Sequence, residues 1–525
     1  MTALAALCYG APMPRHAHGV TLAVALAALL VYALTLSPTV AWMNQGEDSG
    51  DLLVAAATLG IPHPTGYPLF TLLGRVASLV PFGSLAFRIN LVAALAGALG
   101  VFFLARLVLE LATPRGAIPG AGALVGAASA ALVYAFSRGA WSQSVLAEVY
   151  TLHVALLGAV LWCLARAERA SDPRPLALAA YLFGLGLTHH LLLLAAAPAI
   201  AVTARRLALQ KLIGTSWFVL LPLLTAWGCS LVLYLPVRAG QGPEFSWGAP
   251  ATPGQLWWVL TGAQYARNFF SRSPAEMASY LAGPRWWIDF GPALLYLGLG
   301  VAAAIALRAG RILGTAAALA ASLALLAVYA IPDDVGYWMP VGYAVAALAG
   351  TGIALLWQRL PGRAGPRAAL AALCVAAAAW GLPRHARAVD ASGDLGPYLY
   401  AARNLRAVEP DALILSEYDG RTFSLWFYKA TEFAPTRARV AVVYKYLLVW
   451  PWYLHHLART YRDLAVPPYD GDLDLAMNRM IARNLGRRPV YLTRQDPGLA
   501  PLFRLEPVGD PALPLYRVSR AEGTP

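Results

Sequence analysis

The sequence of 525 residues is 59% hydrophobic and only 13% charged, with a formal net charge of +13. Soluble domains carry roughly 25% charged residues because their surfaces face water, so this composition excludes an ordinary soluble protein. A charge of this size would suggest nucleic-acid binding in a soluble chain. Here the arginines lie in short loops between apolar runs, where basic residues set membrane orientation, and we predict no nucleic-acid partner.

Apolar runs that are long enough to cross a bilayer, or nearly so, recur along the first 384 residues. They fall near 19–37, 87–112, 120–137, 147–165, 176–187, 190–204, 213–236, 291–307, 312–331, 338–357 and 367–383. The count is about eleven, with an error of about two, because two of the runs are short and nearly continuous. The sequence therefore predicts a polytopic α-helical membrane domain over residues 1–384.

Basic residues in the loops indicate how the chain lies in the membrane. With a cytoplasmic N-terminus, the predicted inner loops contain most of the loop arginines, among them Arg115, Arg166, Arg169, Arg174, Arg205, Arg206 and Arg311. This distribution obeys the positive-inside rule, and an odd number of spans leaves the C-terminus outside. The frequent Ala, Arg and Gly are typical of a bacterial protein, so we predict a multi-pass protein of the bacterial inner membrane that contacts membrane lipids.

The composition changes in the last part of the chain, at about residue 385. Asp, Arg and Tyr become more frequent, and short apolar runs at 412–415, 440–444 and 490–492 separate helical segments. Short apolar runs bounded by polar residues are consistent with buried strands. We predict that residues 385–525 form an extracytoplasmic soluble domain of the α/β or α+β class.

Two predicted outer loops, 38–86 and 237–290, are too long to be mere connections, and long loops usually carry function. The first contains Glu47, Asp48 and Asp51. A helix that begins at Ser49 would place Asp48 at its N-cap, and capping alone would explain that residue. Three neighbouring carboxylates at a membrane edge repel one another and are costly to desolvate. This cost favours a functional interpretation, either a general base or a carboxylate pair that binds a divalent metal.

Four further candidates lie in the outer parts of the N-terminal half. His63 and Tyr67 belong to a turn rigidified by two prolines, and the alternative for Tyr67 is an aromatic anchor at the membrane interface. Arg88 opens the second membrane helix, where it either reaches the interface or pairs with a phosphate. Glu148 begins another membrane helix, and its alternatives are a functional site or an interhelical hydrogen bond.

The remaining candidates follow later in the chain. His189 and His190 are adjacent and project in different directions, so one ring near a phosphate is favoured over chelation of a metal. Arg238 leads into the second long loop, which contains Trp247 and Tyr265. The aromatic residues of this loop either form an interfacial belt or bind a sugar or a polyprenyl chain.

These motifs, taken in order, resemble the signature of glycosyltransferase family 117, a former family of unknown function that includes a transmembrane O-mannosyltransferase. The matching segments are 47–52, 59–70, 81–83, 88–91, 141–142, 147–150, 184–190, 234–238, 419–428 and 450–453. The sequence departs from the family at Asp51, where the family has Glu, and at Thr65, where it has Pro.

The resemblance implies a GT-C-like membrane glycosyltransferase that moves a sugar from a polyprenyl-phosphate donor to an acceptor hydroxyl outside the cytoplasm. Mannose and protein Ser/Thr are the candidate sugar and acceptor, and a lipid or polymer acceptor stays open. The implied catalytic carboxylates are Asp48, Asp51 and Glu47. The implied donor-phosphate residues are His63, Arg88, His189, His190 and Arg238, and the implied acceptor or sugar residues are Tyr67, Glu148, Trp247 and Tyr265.

Two points stay open at this stage. The sequence identifies no certain cofactor, and a divalent metal held by Glu47, Asp48 and Asp51 stays open. The competing function is a multi-pass transporter or lipid flippase with an exported accessory domain. A transporter would carry charges at mid-membrane and inverted repeats, whereas the candidate residues here gather at one face.

Overall fold

The computed structural model describes residues 14–283, 285–307, 310–331, 335–361, 364–495, 499 and 503–520. The outermost ends of both predicted regions, 1–13 and 521–525, therefore lie outside the described residues. In the N-terminal part the helices are α1 Arg15–Leu34, α2 Ser49–Thr58, α3 Pro68–Ser78, α4 Leu85–Ala112, α5 Ala121–Ala135, α6 Arg138–Gln143, α7 Tyr150–Ala170, α8 Arg174–Leu187, α9 Ala197–Leu209, α10 Trp217–Cys229, α11 Tyr234–Gly240, α12 Pro253–Leu260, α13 Pro274–Leu281, α14 Arg285–Phe290, α15 Ala293–Ala306, α16 Leu313–Val328, α17 Val335–Arg359 and α18 Ala364–Val389.

Within the described residues, seven helical segments are long and apolar enough to cross a membrane. They are Arg15–Leu34, Leu85–Ala112, Tyr150–Ala170, Leu191–Leu209, Trp217–Gly240, Val335–Arg359 and Gly365–Val389. The helices α5, α8, α15 and α16 are shorter and also apolar. The protein is thus an integral multi-pass membrane protein, as the sequence predicted, and the number of spans stays a prediction.

The membrane helices pack closely where small residues face each other. A side chain on Gly352 of α17 would come within 1.7 Å of the Gly300 carbonyl oxygen of α15. A side chain on Gly184 of α8 would come within 2.0 Å of the Thr225 carbonyl oxygen of α10. Such contacts are typical of membrane bundles, where small residues allow two backbones to approach. Helices α7 and α17 form the centre, because 83% of the apolar window of each is buried.

At the end of α4 away from the first long loop, the arginines of the predicted inner loops form buried ion pairs. Glu110 is fully buried and accepts hydrogen bonds from Arg166, at 3.4 Å, and from Arg169. Glu168 pairs with Arg206 at 2.8 Å. Some of the net positive charge therefore forms ion pairs between helices.

The C-terminal part contains a mixed five-stranded sheet with flanking helices. Its elements are α19 Gly396–Ala407, β1 Leu413–Ser416, α20 Asp419–Ala430, α21 Ala434–Arg437, β2 Ala441–Tyr444, α22 Pro451–Thr460, α23 Leu473–Asn484, β3 Val490–Leu492, β4 Phe503–Val508 and β5 Leu515–Arg520. The strand order is β2-β1-β3-β5-β4. Strand β1 pairs in parallel with β2 and β3, and β5 pairs antiparallel with β3 and β4. The predicted α/β or α+β class is confirmed.

The first long loop and the C-terminal part pack together around helices α2 and α20. Gly50 lies so close to α20 that an added side chain would come within 2.7 Å of the Phe423 backbone. The Trp42 indole donates hydrogen bonds to the Gly420 carbonyl at 2.8 Å and to Ser424 Oγ at 3.1 Å. This contact brings residues that are distant in sequence to one site. Helix α18 continues to Val389, past the predicted boundary at 384, and that boundary stays a prediction.

Candidate active site

Asp48 immediately precedes helix α2, but its side chain does not cap the helix. The helix begins at Ser49, and the Asp48 carboxylate makes no capping hydrogen bond. The turn is held instead by Ser49, whose hydroxyl donates to the Ala41 carbonyl at 3.1 Å and accepts from the Ala41 amide at 2.9 Å. The Asp48 side chain is 41% exposed, and its oxygen lies 3.8 Å from His63 Nε2. The carboxylate is therefore available for chemistry.

Asp51 fixes the orientation of His63. The Asp51 carboxylate is 2% exposed, and one of its oxygens accepts hydrogen bonds from the His63 amide at 2.8 Å and from His63 Nδ1 at 2.9 Å. Because Nδ1 donates to Asp51, Nε2 is the ring atom that faces Asp48. The three side chains form a line from the buried Asp51, through His63, to the open Asp48.

Burial and neighbouring charges both shift the pKa values of His63 and Asp48. Burial alone would lower the pKa of His63, but the negative charges of Asp48 and Asp51 outweigh it and raise this pKa to about 9. Burial raises the pKa of Asp48; the His63 charge lowers it, and the Asp51 and Glu47 carboxylates raise it further. At neutral pH the site therefore holds an imidazolium beside a carboxylate that is more basic than an ordinary Asp, which suits proton abstraction.

The C-terminal part adds two residues that the sequence analysis did not assign to the site. Asp419 is the first residue of α20, and it accepts a hydrogen bond from the Tyr444 hydroxyl at the end of β2. Burial raises the pKa of Asp419 to about 6, and the nearby Asp48 charge adds to this shift. The available signal was the position of Asp419, directly after a buried parallel strand, where functional residues gather at the strand ends.

Aromatic side chains form a wall of the same site. Tyr67 is 5% exposed, and its ring lies edge-on to His63 at 5.0 Å. The Trp247 ring lies 6.2 Å from His63, and its indole donates to Gln264 at 3.0 Å. Burial raises the pKa of Tyr265, and the charge of the nearby Asp48 adds to this rise. Three predicted acceptor or sugar residues thus lie beside Asp48 and His63.

Glu148, His189 and His190 form a buried layer behind Tyr67. The rings of His189 and His190 lie 5.9 and 6.1 Å from the Tyr67 ring. His189 Nε2 donates to the Val149 carbonyl at 2.8 Å, and Glu148 is 4% exposed. These residues are close to the site, and their donor- or sugar-binding roles stay predictions.

Arg88 and Arg238 hydrogen-bond to backbone carbonyls of the first long loop. The Arg88 guanidinium donates to the Ser78 carbonyl at 2.8 Å, near the end of α3. Arg238 Nε donates to the Leu59 carbonyl at 2.7 Å, at the end of α2. Their predicted phosphate-binding roles stay predictions. Glu47 is exposed next to Asp48, and its catalytic role also stays a prediction.

The carboxylates of the first long loop were also predicted to suit a divalent metal. Among the residues that the structure describes, no group of three or more His, Cys, Asp or Glu side chains is arranged to hold a metal ion. Asp51 already accepts two hydrogen bonds from His63. The possible divalent metal stays a prediction.

The first half of the chain matches a known family. A family model described as the protein O-mannosyl-transferase TMEM260 N-terminal domain matches residues 48–211. This region begins at Asp48 and includes His63, Tyr67, His189 and His190. The resemblance to the transmembrane O-mannosyltransferases is confirmed over this region, which is similar to the TMEM260 N-terminal domain.

Two curated relatives give the extent of the match. The mouse protein O-mannosyl-transferase TMEM260 is 34% identical over 229 residues, which are 42% of this chain and 31% of the mouse protein. The Dictyostelium discoideum protein O-mannosyl-transferase tmem260 is 36% identical over 78 residues, which are 14% of this chain and 9% of that protein. The match therefore covers about a third or less of the length of these relatives.

Solved structures extend the similarity to nearly the whole chain. The crystal structure of ArnT from Cupriavidus metallidurans bound to undecaprenyl phosphate covers 96% of this chain and 98% of its own, with a TM-score of 0.61 and 11% identity. The apo state of the same protein gives a TM-score of 0.57 with 12% identity. The chain has the GT-C fold. The GT-C-like architecture predicted from the sequence is thus confirmed.

Proposed function

We propose that this protein is a membrane glycosyltransferase that moves a sugar from a polyprenyl-phosphate donor to an acceptor hydroxyl. The observation that carries the proposal is the line Asp51–His63–Asp48, in which a fixed imidazolium faces a carboxylate free of any capping role. The names of the mouse and Dictyostelium relatives support O-mannosyl transfer, so mannose and protein Ser/Thr are the first sugar and acceptor to test. The undecaprenyl phosphate bound to ArnT supports a polyprenyl-phosphate carrier.

The proposed reaction is a direct displacement at the anomeric carbon. The acceptor oxygen forms a bond to this carbon while the bond to the phosphate oxygen breaks, and the polyprenyl phosphate leaves with the electron pair. Asp48 takes the acceptor proton as the new bond forms, a role that contributes typically 10²–10⁴-fold in rate. Direct displacement inverts the configuration at the anomeric carbon.

His63 has two tasks in this proposal. Its Nδ1 is held by Asp51 at 2.9 Å, which fixes the direction of Nε2. The protonated ring offsets negative charge that develops on the departing phosphate, and it orients the Asp48 carboxylate. A fixed cation in a partly buried site is effective because it needs no reorganisation during the reaction.

The proposed location of the reaction is the extracytoplasmic face of a bacterial inner membrane. The loop arginines support a cytoplasmic N-terminus under the positive-inside rule. Asp48 precedes α2, which lies at the opposite end of α4 from the buried Glu110 cluster. The C-terminal part packs against the same end, in agreement with an exported domain.

The experiment is transfer of labelled mannose from undecaprenyl-phosphate mannose to a Thr-containing peptide in vesicles that contain the purified protein. The wild type is compared with D48N and with D463N, a change of an exposed Asp in the C-terminal part whose side chain is 78% exposed. We expect transfer by the wild type and D463N and a loss of at least about 100-fold in D48N. Absence of transfer by the wild type would contradict the proposed function.

A further inference from the structure

Asp419 and Tyr444 reach the site from the C-terminal part, and the reaction described above gives them no task. Asp419 is half-buried at the start of α20, and the Tyr444 hydroxyl donates to its carboxylate. The neighbouring Gly420 fixes the position of this turn against the first loop. A side chain on Gly420 would come within 2.9 Å of the Trp42 ring and 3.6 Å of Glu47 Cγ. Asp419 therefore lies beside the Glu47–Asp48 turn.

A chain of contacts connects Asp419 to the catalytic line. Tyr444, the partner of Asp419, has its ring 6.3 Å from Trp247. Trp247 in turn lies 6.2 Å from His63, whose Nε2 is 3.8 Å from Asp48. Asp419 thus belongs to the same cluster of side chains as Asp48, Trp247 and His63; we call the space beside these residues the recess.

A structural role alone does not account well for Asp419. A carboxylate in the first turn of a helix interacts favourably with the helix dipole. Against this gain stands the repulsion from Asp48 and Asp51 in a partly desolvated site. The burial-driven rise in the pKa of Asp419 reflects this unfavourable placement. Maintaining a third carboxylate here is therefore unfavourable unless a ligand compensates it.

The charge balance of the recess indicates which ligand this is. Asp48 and Asp419 lie at it with Glu47 beside them, and the imidazolium of His63 is already paired with Asp48 and Asp51. Arg88 and Arg238 donate to backbone carbonyls of the first loop. In the proposed reaction the donor phosphate takes the His63 side. An anionic group on the acceptor would instead add to the charges of Asp48 and Asp419, which is unfavourable, whereas a neutral or cationic acceptor group would gain hydrogen bonds.

We infer that Asp419, held by Tyr444, is a specificity-determining residue that accepts a hydrogen bond from the acceptor, so that the recess takes hydroxyl acceptors in neutral or cationic surroundings and rejects anionic ones. This inference rests on the proposed function and extends it to the acceptor class. In a peptide acceptor, basic or neutral residues beside the Thr are favoured, and acidic or phosphorylated neighbours are excluded. The donor binds independently of Asp419.

The test uses peptides that are identical except that the residues flanking one Thr are Lys, Ala or Glu. Transfer of labelled mannose in vesicles is measured for the wild type, D419N, Y444F and the exposed control D463N. We expect the wild type and D463N to prefer the Lys peptide over the Glu peptide by at least about tenfold in kcat/KM. In D419N this ratio falls to about two, and in Y444F it falls to an intermediate value. A role in folding alone would lower all three rates together and leave the ratio unchanged.

The outcomes separate this inference from the function on which it rests. Transfer by the wild type without a preference between the Lys and Glu peptides, or an equal preference in D419N and the wild type, would overturn the inference and leave the transferase intact. Absence of wild-type transfer to all three peptides would overturn both. Binding of undecaprenyl-phosphate mannose by purified D419N provides the second measurement. We expect an affinity within about twofold of the wild type, and a tenfold loss would place Asp419 on the donor side instead.

Discussion

One Asp51 oxygen accepts two hydrogen bonds from His63, at 2.8 Å from its amide and at 2.9 Å from Nδ1. The turn that contains His63 is thereby fixed to helix α2, and the second ring nitrogen is directed towards Asp48. A backbone contact and a ring contact to the same buried carboxylate leave His63 little freedom. The shorter side chain of Asp51, compared with the family's Glu, suits this compact arrangement.

The D51N variant is expected to lose activity and stability together. The raised pKa of His63 means that its protonated form stabilises the fold below the unfolded pKa of about 6.5, and that this contribution disappears as the pH rises through about 9. Its upper size is about 3 kcal/mol. Thermal unfolding of D51N in detergent should therefore show a larger deficit against wild type at pH 6 than at pH 9.5. An equal deficit at both values would contradict a charged His63.

The pH dependence of kcat/KM should follow a bell-shaped curve. On the acidic side, Asp48 must lose its proton, and its raised pKa places this limb above the ordinary carboxyl range. On the basic side, activity falls as His63 loses its proton near pH 9. The other titratable groups close to Asp48 and His63 are Glu47, Asp51 and Asp419. The H63Q variant should lose the basic limb, and a curve in which this limb persists would assign it to another group.

Gly50→Ala tests whether the C-terminal part must pack against the first loop. The added methyl group would come within 2.7 Å of the Phe423 backbone, which has no flexible end that can move away. We expect a loss of roughly 1–3 kcal/mol in stability and a marked loss of transfer. The matched control is Gly393→Ala, where an added side chain meets nothing within 4 Å and the effect should stay within about 0.5 kcal/mol. Full activity of G50A would argue against a shared site.

The predicted phosphate-binding roles of Arg88 and Arg238 can be tested by measuring the binding of undecaprenyl-phosphate mannose. Their guanidinium groups already donate to the Ser78 and Leu59 carbonyls, so we expect R88Q to reduce thermal stability by about 1 kcal/mol and to change donor affinity by less than about twofold. A tenfold loss of affinity for undecaprenyl-phosphate mannose in R88Q would instead support the phosphate-binding role. R174Q, at an exposed arginine paired with Asp172, is the control.

Sequence reasoning found the part of the site that is local in the chain. Asp48, Asp51, His63 and Tyr67 lie within one loop, where proline-rich turns and clustered carboxylates are visible in the residues themselves. Asp419 was missed because it comes from the C-terminal part, which the contacts at Gly50 and Trp42 bring to the first loop. A linear pattern does not contain that contact.

The same limit explains which strands of the sheet could be predicted from the sequence, and why the contacts of the arginines could not. The parallel strands β1, β2 and β3 were visible as apolar runs because they are buried on both faces. Strand β4 alternates between partly buried and exposed residues, and in β5 only Leu515 and Val518 are buried, so neither strand carries such a run. For Arg88, the residue type predicts a positive charge but gives no information about which carbonyl or phosphate satisfies it.

The central claim, that Asp48 is the base, is tested most directly by D48N at matched membrane levels. The Asp48 side chain makes no capping hydrogen bond, and the cost of burying its charge opposes the stabilisation that it gives to the His63 charge. The change to Asn should therefore leave stability within roughly 1 kcal/mol of wild type while it removes the proton acceptor. We predict normal abundance and unfolding temperature, unchanged donor binding and a loss of mannose transfer of at least about 100-fold. Transfer by D48N at the wild-type rate, in the vesicles where the wild type is active, would contradict the account and leave Asp48 without a catalytic role.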